Sequence, residues 1–173
     1  MRTSHGHFSS RPRGCILTSF LGEYDAQPRA LNEKILIAYL RGRPAVAARF
    51  DRGAGLSVKE VGDGNLNLVF IVANRDEPAQ AVIAKQALNY LRVAGESWPL
   101  TRERMRFESQ AMQTYNRLCP GLVPEIYDYD EEMSLTVMEY LGTHEIMRKA
   151  LVERRRFLRF VDHISTFLVN SLF

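Results

Sequence analysis

The sequence predicts an α+β fold: an antiparallel sheet of about five strands with one helix packed on it, followed by further helices. Three observations carry this. Residues 57–86 hold three β-branched and aromatic runs, separated by a glycine loop and a polar turn. Residues 101–118 repeat apolar side chains at helical spacing, and residues 126–138 hold two more strand-like runs around an acidic tip. From Glu145 onward the pattern is helical again.

Residues 1–28 stand apart from the rest. Arg2, Arg11 and Arg13 occur with several serines and no acid before Glu23, which brushes against an organellar transit peptide. They form no amphipathic arginine face, so the segment reads as a disordered or non-native leader. Residues 29–50 then predict a helix, a break at Gly42 and Pro44, and a short second turn. Leu31, Ile35 and Tyr39 share one face of that helix, with Leu36 and Leu40 beside it. Residues 51–55 form a linker.

The three-strand unit is the centre of the chain. Val58 and Val61, then residues 68–72, then Val82 and Ile83 supply its strands. Gly62, Asp63, Gly64 and Asn65 join the first two. Glycines one residue apart allow close approach of backbone to a ligand, and the N–H groups of such a loop can cradle phosphate oxygens. The third strand carries Lys85 on the same face as Ala81 and Ile83. A lysine on an apolar face is costly unless it meets an anion.

Residues 89–99 are broken by Gly95 and Pro99 and contain Trp98, the sole tryptophan. They read either as a surface loop held by one buried aromatic or as a loop that folds over a site. Thr101 is the expected N-cap of the next helix, with Glu103 in its first turn. Met105, Ala111, Met112, Tyr115 and Leu118 form its apolar stripe, and Glu108 lies within that stripe. Glu108 either pairs with Lys85 or sits at the stripe's edge and reaches water.

Pro120, Gly121 and Pro124 mark a turn. Residues 126–129 and 135–138 predict a hairpin, and Glu139, Tyr140, Leu141 and Gly142 leave it directly. Ile164, Phe167, Leu168 and Leu172 are expected to be buried in the last helix, and Arg154, Arg155 and Arg156 to form a solvated face.

Composition excludes several classes. A net charge of +3 is too weak to argue for nucleic acid, and basic and aromatic residues do not interleave on one face. No apolar run reaches the roughly 18 residues of a membrane helix. Cys15 and Cys119 form no metal spacing, and so few cysteines suit a reducing compartment. His144 and His163 lack partners at metal-ligand spacing.

The segments GDGNLNLVFIV, the strand ending Lys85-Gln86-Ala87, RVAGESWPL, and MEYL before EIMRKAL together resemble the S-methyl-5-thioribose kinase family. The resemblance covers residues 29–173. It implies a protein-kinase-like, aminoglycoside-phosphotransferase-like fold, with residues 29–142 as the amino lobe and residues 143–173 as the start of a truncated carboxy lobe. It implies ATP-dependent phosphorylation of the 1-hydroxyl of 5-methylthioribose, with Mg2+, in methionine salvage, by a cytoplasmic homodimer. By the same resemblance Gly62, Asp63, Gly64, Asn65 and Asn67 contact ATP, and Lys85 holds its α- and β-phosphates with Glu108 as partner. Glu139, Tyr140 and Leu141 form the adenine hinge, and Gly95, Glu96, Ser97 and Trp98 a loop beside the active site. Tyr140 stands where an acid is common, and Asn89 where a proline is. No catalytic loop and no metal-binding acids are expected in this chain, which is therefore expected to be inactive alone. The other function class is a non-catalytic nucleotide-binding or interaction fragment.

Overall fold

A computed structural model describes residues 30–62 and 66–172. The reading of residues 1–28 as a leader, and the ATP contacts expected of Asp63, Gly64 and Asn65, lie outside the described residues.

The chain opens with α1 (Glu33–Arg41) and α2 (Pro44–Ala47). Asn32 caps α1 by accepting the Ile35 N–H at 3.1 Å. Pro44 sits at the start of α2, where its missing N–H costs nothing. Leu36 and Leu40 are the deeply buried residues of α1, and Ile35 and Tyr39 only flank the core, so the buried line is rotated slightly from the expected one.

Next come β1 (Leu56–Glu60), β2 (Asn67–Asn74) and β3 (Ala81–Ala87), then a small ribbon of β4 (Tyr90–Leu91) and β5 (Gly95–Pro99). α3 (Glu103–Leu118) follows, then β6 (Ile126–Asp130) and β7 (Leu135–Glu139). The main sheet has the order β1-β2-β3-β7-β6, with every neighbouring pair antiparallel. Strand β3 is therefore central, with Lys85 opposite Val69 of β2 and Thr136 of β7. This is the α+β architecture of a kinase-like amino lobe.

The two faces of the sheet differ. Leu68, Phe70, Val72, Val82, Ala84, Leu135 and Val137 meet Leu31, Leu36, Leu40 and Val46 in one apolar core under α1 and α2. Ala81, Ile83 and Lys85 alternate onto the other face and are half-buried. Helix α3 packs against β3, β6 and β7 there. Met105 and Ser109 are its fully buried residues, and the Ser109 hydroxyl is hydrogen-bonded to that of Thr136 on β7. The α3 stripe differs from expectation at its end: Leu118 is exposed. Thr101 does not occupy the N-cap, which is Arg102, although its hydroxyl accepts the Glu103 N–H at 3.3 Å.

Gln86, completely buried, ties the two sides of the lobe together. Its Oε1 accepts the Leu31 N–H at 2.9 Å and its Nε2 donates to the Met133 carbonyl at 3.2 Å. A second tie runs from the α1–α2 junction to the edge strand. Arg43 Nε and Nη2 grip Asp128 at 2.5 and 2.9 Å, and Arg43 Nη1 reaches Asp130 at 3.1 Å. The Tyr39 hydroxyl donates to the same Asp130 carboxylate.

The chain closes with α4 (Met147–Val152) and α5 (Phe160–Leu172). Here the expectation fails. Ile164, Leu168 and Leu172 are exposed, and Phe167 is only half-buried, its ring edge-on to Tyr115 of α3 at 5.2 Å. The apolar face exists, and α3 meets it through Tyr115. Arg154, Arg155 and Arg156 are exposed as expected.

Candidate functional site

Lys85 organises the α3 face of the sheet. The alternation of β3 sends Val82, Ala84 and Gln86 into the core, so the lysine must project the other way. There its Nζ meets Glu108 Oε1 at 2.5 Å. The side chains are 24% and 36% exposed, so each charge keeps part of its water and the pair escapes most of the penalty of full burial. The result is an ammonium held on a strand, aimed by a helix, with an edge open to an anionic ligand.

The base of the glycine loop lies beside this pair. Val61 donates its N–H to the Val69 carbonyl at 2.8 Å, closing the β1–β2 hairpin. A Cβ at Gly62 would meet nothing within 4 Å, so the chain here is open to solvent. Asn67 is 6% exposed and engaged from two sides. Arg104 of α3 donates to its Oδ1 from Nε at 3.2 Å and from Nη2 at 2.9 Å. Arg92, in the turn between β4 and β5, donates to its carbonyl at 3.3 Å and to Glu60 at 2.7 Å. The Asn67 side-chain oxygen is thus engaged by α3.

The ribbon settles one alternative about Trp98. The side chain is 61% exposed, so it does not hold a surface loop down by burial. Gly95 opens β5 with φ +76°, a left-handed turn that suits glycine. Ser97 donates to the Ala94 carbonyl at 3.3 Å, and Glu96 is exposed. Arg92 ties this ribbon to the ends of β1 and β2.

Glu139, Tyr140 and Leu141 leave β7 at the sheet's end. The Glu139 N–H donates to the Glu125 carbonyl at 2.8 Å, and the Leu141 carbonyl accepts the His144 N–H at 3.0 Å. A base docking here must therefore use other backbone groups or second lone pairs. The Tyr140 ring lies over Gly142, where a Cβ would come within 2.6 Å of it.

Among the described residues, no three His, Cys, Asp or Glu side chains come together as a metal site. Burial pushes the Arg104 guanidinium below its ordinary pKa, opposed by the nearby Glu108 charge.

No family model matches the chain. Known proteins similar to it include several methylthioribose kinases. Methylthioribose kinase 1 of Oryza sativa subsp. japonica is 44% identical over 147 residues, which is 84% of this chain and 34% of the rice protein. Methylthioribose kinase of Geobacillus kaustophilus is 44% identical over 124 residues, 72% of this chain and 31% of that protein. A methylthioribose kinase of Bacillus thuringiensis is 42% identical over a stretch of the same length. Over these stretches the chain is similar to methylthioribose kinases. It spans about a third of the length of the curated relatives it matches.

The structure joins some expected site residues and separates others. Lys85 and Glu108 touch, and Asn67 is hydrogen-bonded to α3. The segment 139–141 lies at the far end of β7, and the ribbon joins through Arg92. Sequence reading missed Arg92 and Arg104. Arg104 could have been found, because it lies one helical turn before Glu108, on the same face. Nothing local in the sequence marks Arg92.

Proposed function

We propose that this chain is the nucleotide-holding part of a methylthioribose kinase, the enzyme that moves the ATP γ-phosphate to a hydroxyl of 5-methylthioribose. The single observation that carries the reading is the Lys85–Glu108 pair at 2.5 Å, joining the central strand to α3. A phosphoryl-transfer enzyme gains nearly all its rate from positioning and charge stabilisation. A strand ammonium oriented by a helix carboxylate fits the positioning role, because it places the α- and β-phosphates and offsets their charge. Support comes also from the relatives' names and from identities of 42–44%.

In this reading Gly62 lies against the phosphates, residues 139–141 lie against adenine, and the exposed Trp98 ribbon borders the sugar side. Magnesium would enter with the nucleotide. The described residues bring no acid cluster together for it, so the metal has no assigned step. The full enzyme is expected to be a cytoplasmic homodimer of methionine salvage. Residues 29–142 form the nucleotide lobe and residues 143–173 begin the next unit.

The test is calorimetric titration of the 173-residue chain with MgATP. The reading expects saturable binding that Lys85→Ala reduces by at least about tenfold, the loss of one charge-assisted contact. Lys85→Arg should not restore it, because a planar fork does not reproduce a compact charge. Equal affinity for MgATP in the parent and Lys85→Ala chains would refute the reading.

A further inference from the structure

Besides the Ser109–Thr136 hydroxyl bond, two charged contacts one turn apart join helix α3 to the sheet. Glu108 meets Lys85 at 2.5 Å. Four residues earlier, Arg104 spreads its guanidinium over the start of β2. It donates to Asn67 Oδ1 at 2.9 and 3.2 Å and to the Leu66 carbonyl at 3.1 Å. The same side chain reaches back to the Thr101 carbonyl at 2.5 Å and the Leu100 carbonyl at 3.4 Å, so it is also fixed to the start of its own helix. Asn67 is buried, and a lost bond to its oxygen would not be replaced cheaply by water. From the opposite side Arg92 holds the Asn67 carbonyl. One asparagine therefore fastens α3, the mouth of the β1–β2 hairpin and the Trp98 ribbon together.

We propose that Arg104 is a positioning residue for Lys85: its fork on Asn67 and Leu66 sets the rotation and height of α3, so that Glu108 meets the lysine in register. The inference rests on the reading of Lys85 as the phosphate anchor. Arg104 acts through the helix and need not touch nucleotide. A lysine cannot replace it, because one ammonium cannot serve the Asn67 side chain, the Leu66 carbonyl and the helix start together. Asn67→Asp keeps the acceptor and adds an opposite charge, so it should preserve the coupling.

The experiment has two arms on the 173-residue chain. In the first, hydrogen exchange is followed without ligand. Arg104→Ala and Arg104→Lys should speed exchange of the amides of residues 106–110 about tenfold, with β3 amides unchanged, and Asn67→Asp should stay near the parent. In the second, MgATP and adenosine are titrated in parallel. Arg104→Ala should weaken MgATP about tenfold and adenosine less than about twofold, since adenosine carries no phosphate for Lys85. Adding Glu108→Gln to Arg104→Ala should then cost little more, because both act through one lysine. Unchanged exchange in Arg104→Ala, or equal losses for MgATP and adenosine, overturns the proposal. A parent chain that binds no MgATP overturns the phosphate-anchor reading instead, and the exchange arm alone then decides whether Arg104 sets α3.

Discussion

At the scale of single residues, the exposure of Glu108 changes what its removal should cost. A fully buried ion pair loses about 3–5 kcal/mol when one partner is removed. Glu108 is 36% exposed, so water takes over part of the lost bond. Glu108→Gln should destabilise by about 1–2 kcal/mol in urea unfolding. A double cycle with Lys85→Met should show a coupling of about 1 kcal/mol, and additive losses would mean the two charges do not interact. The Tyr39–Asp130–Arg43 group makes a pH prediction. Burial raises the Asp130 pKa, but the Met133 N–H, the Tyr39 hydroxyl and Arg43 outweigh it and hold the carboxyl below its ordinary value. A lowered folded pKa gives stability that is present above about pH 4 and lost as pH falls through the folded value. Tyr39 moves the other way: burial first, then the Asp130 bond, raise its pKa. Its contribution is present below about pH 10 and lost as the pH rises beyond. Tyr39→Phe should cost about 1.5 kcal/mol at neutral pH and reduce the alkaline loss, read from unfolding midpoints across pH, the remainder coming from Tyr127 and Tyr129, whose pKa burial also raises.

At the scale of elements, the sheet is legible because its strands carry β-branched runs and α3 carries a helical period. The Lys85–Glu108 contact is legible for a different reason: each charge sits on a face where its neighbours are apolar. What stays hidden is long-range polar chemistry. Gln86 looks like any strand glutamine, yet it spans from Leu31 to Met133. Arg43 follows a helix break and gives no sign of Asp128 and Asp130, far along the chain. The ribbon β4–β5 reads as a loop, because Gly95 and Pro99 interrupt any strand pattern. The docking of α3 also rests on a pair no periodicity shows, the buried hydroxyls of Ser109 and Thr136. Thr136→Val should leave Ser109 without its partner and cost about 1–3 kcal/mol. Adding Ser109→Ala should recover part of that loss, because removing both polar groups is cheaper than stranding one. A double variant less stable than Thr136→Val would contradict this account of the contact.

At the scale of the whole molecule, the polar ties and the apolar core stand on one side and α5 on the other. Leu158, just before α5, is 94% exposed, and Val161, Val169 and Leu172 within it are 70%, 57% and 67% exposed, an apolar surface of the kind that drives association. The chain should therefore sediment as concentration-dependent oligomers, and Val161→Lys with Val169→Lys should shift it toward monomer. A monomer at every concentration would show that this face is tolerated in water. The central claim concerns which cation of the whole chain meets the phosphates. The chain has four lysines, Lys34, Lys59, Lys85 and Lys149. An acyl phosphate of ATP transfers its acyl group to the amine of a lysine beside the phosphate chain, releasing ATP, and peptide mass spectrometry then finds the labelled residue. Labelling confined to Lys85 and suppressed by excess MgATP is the predicted result. Labelling spread over the four lysines in proportion to exposure, and indifferent to MgATP, would contradict it.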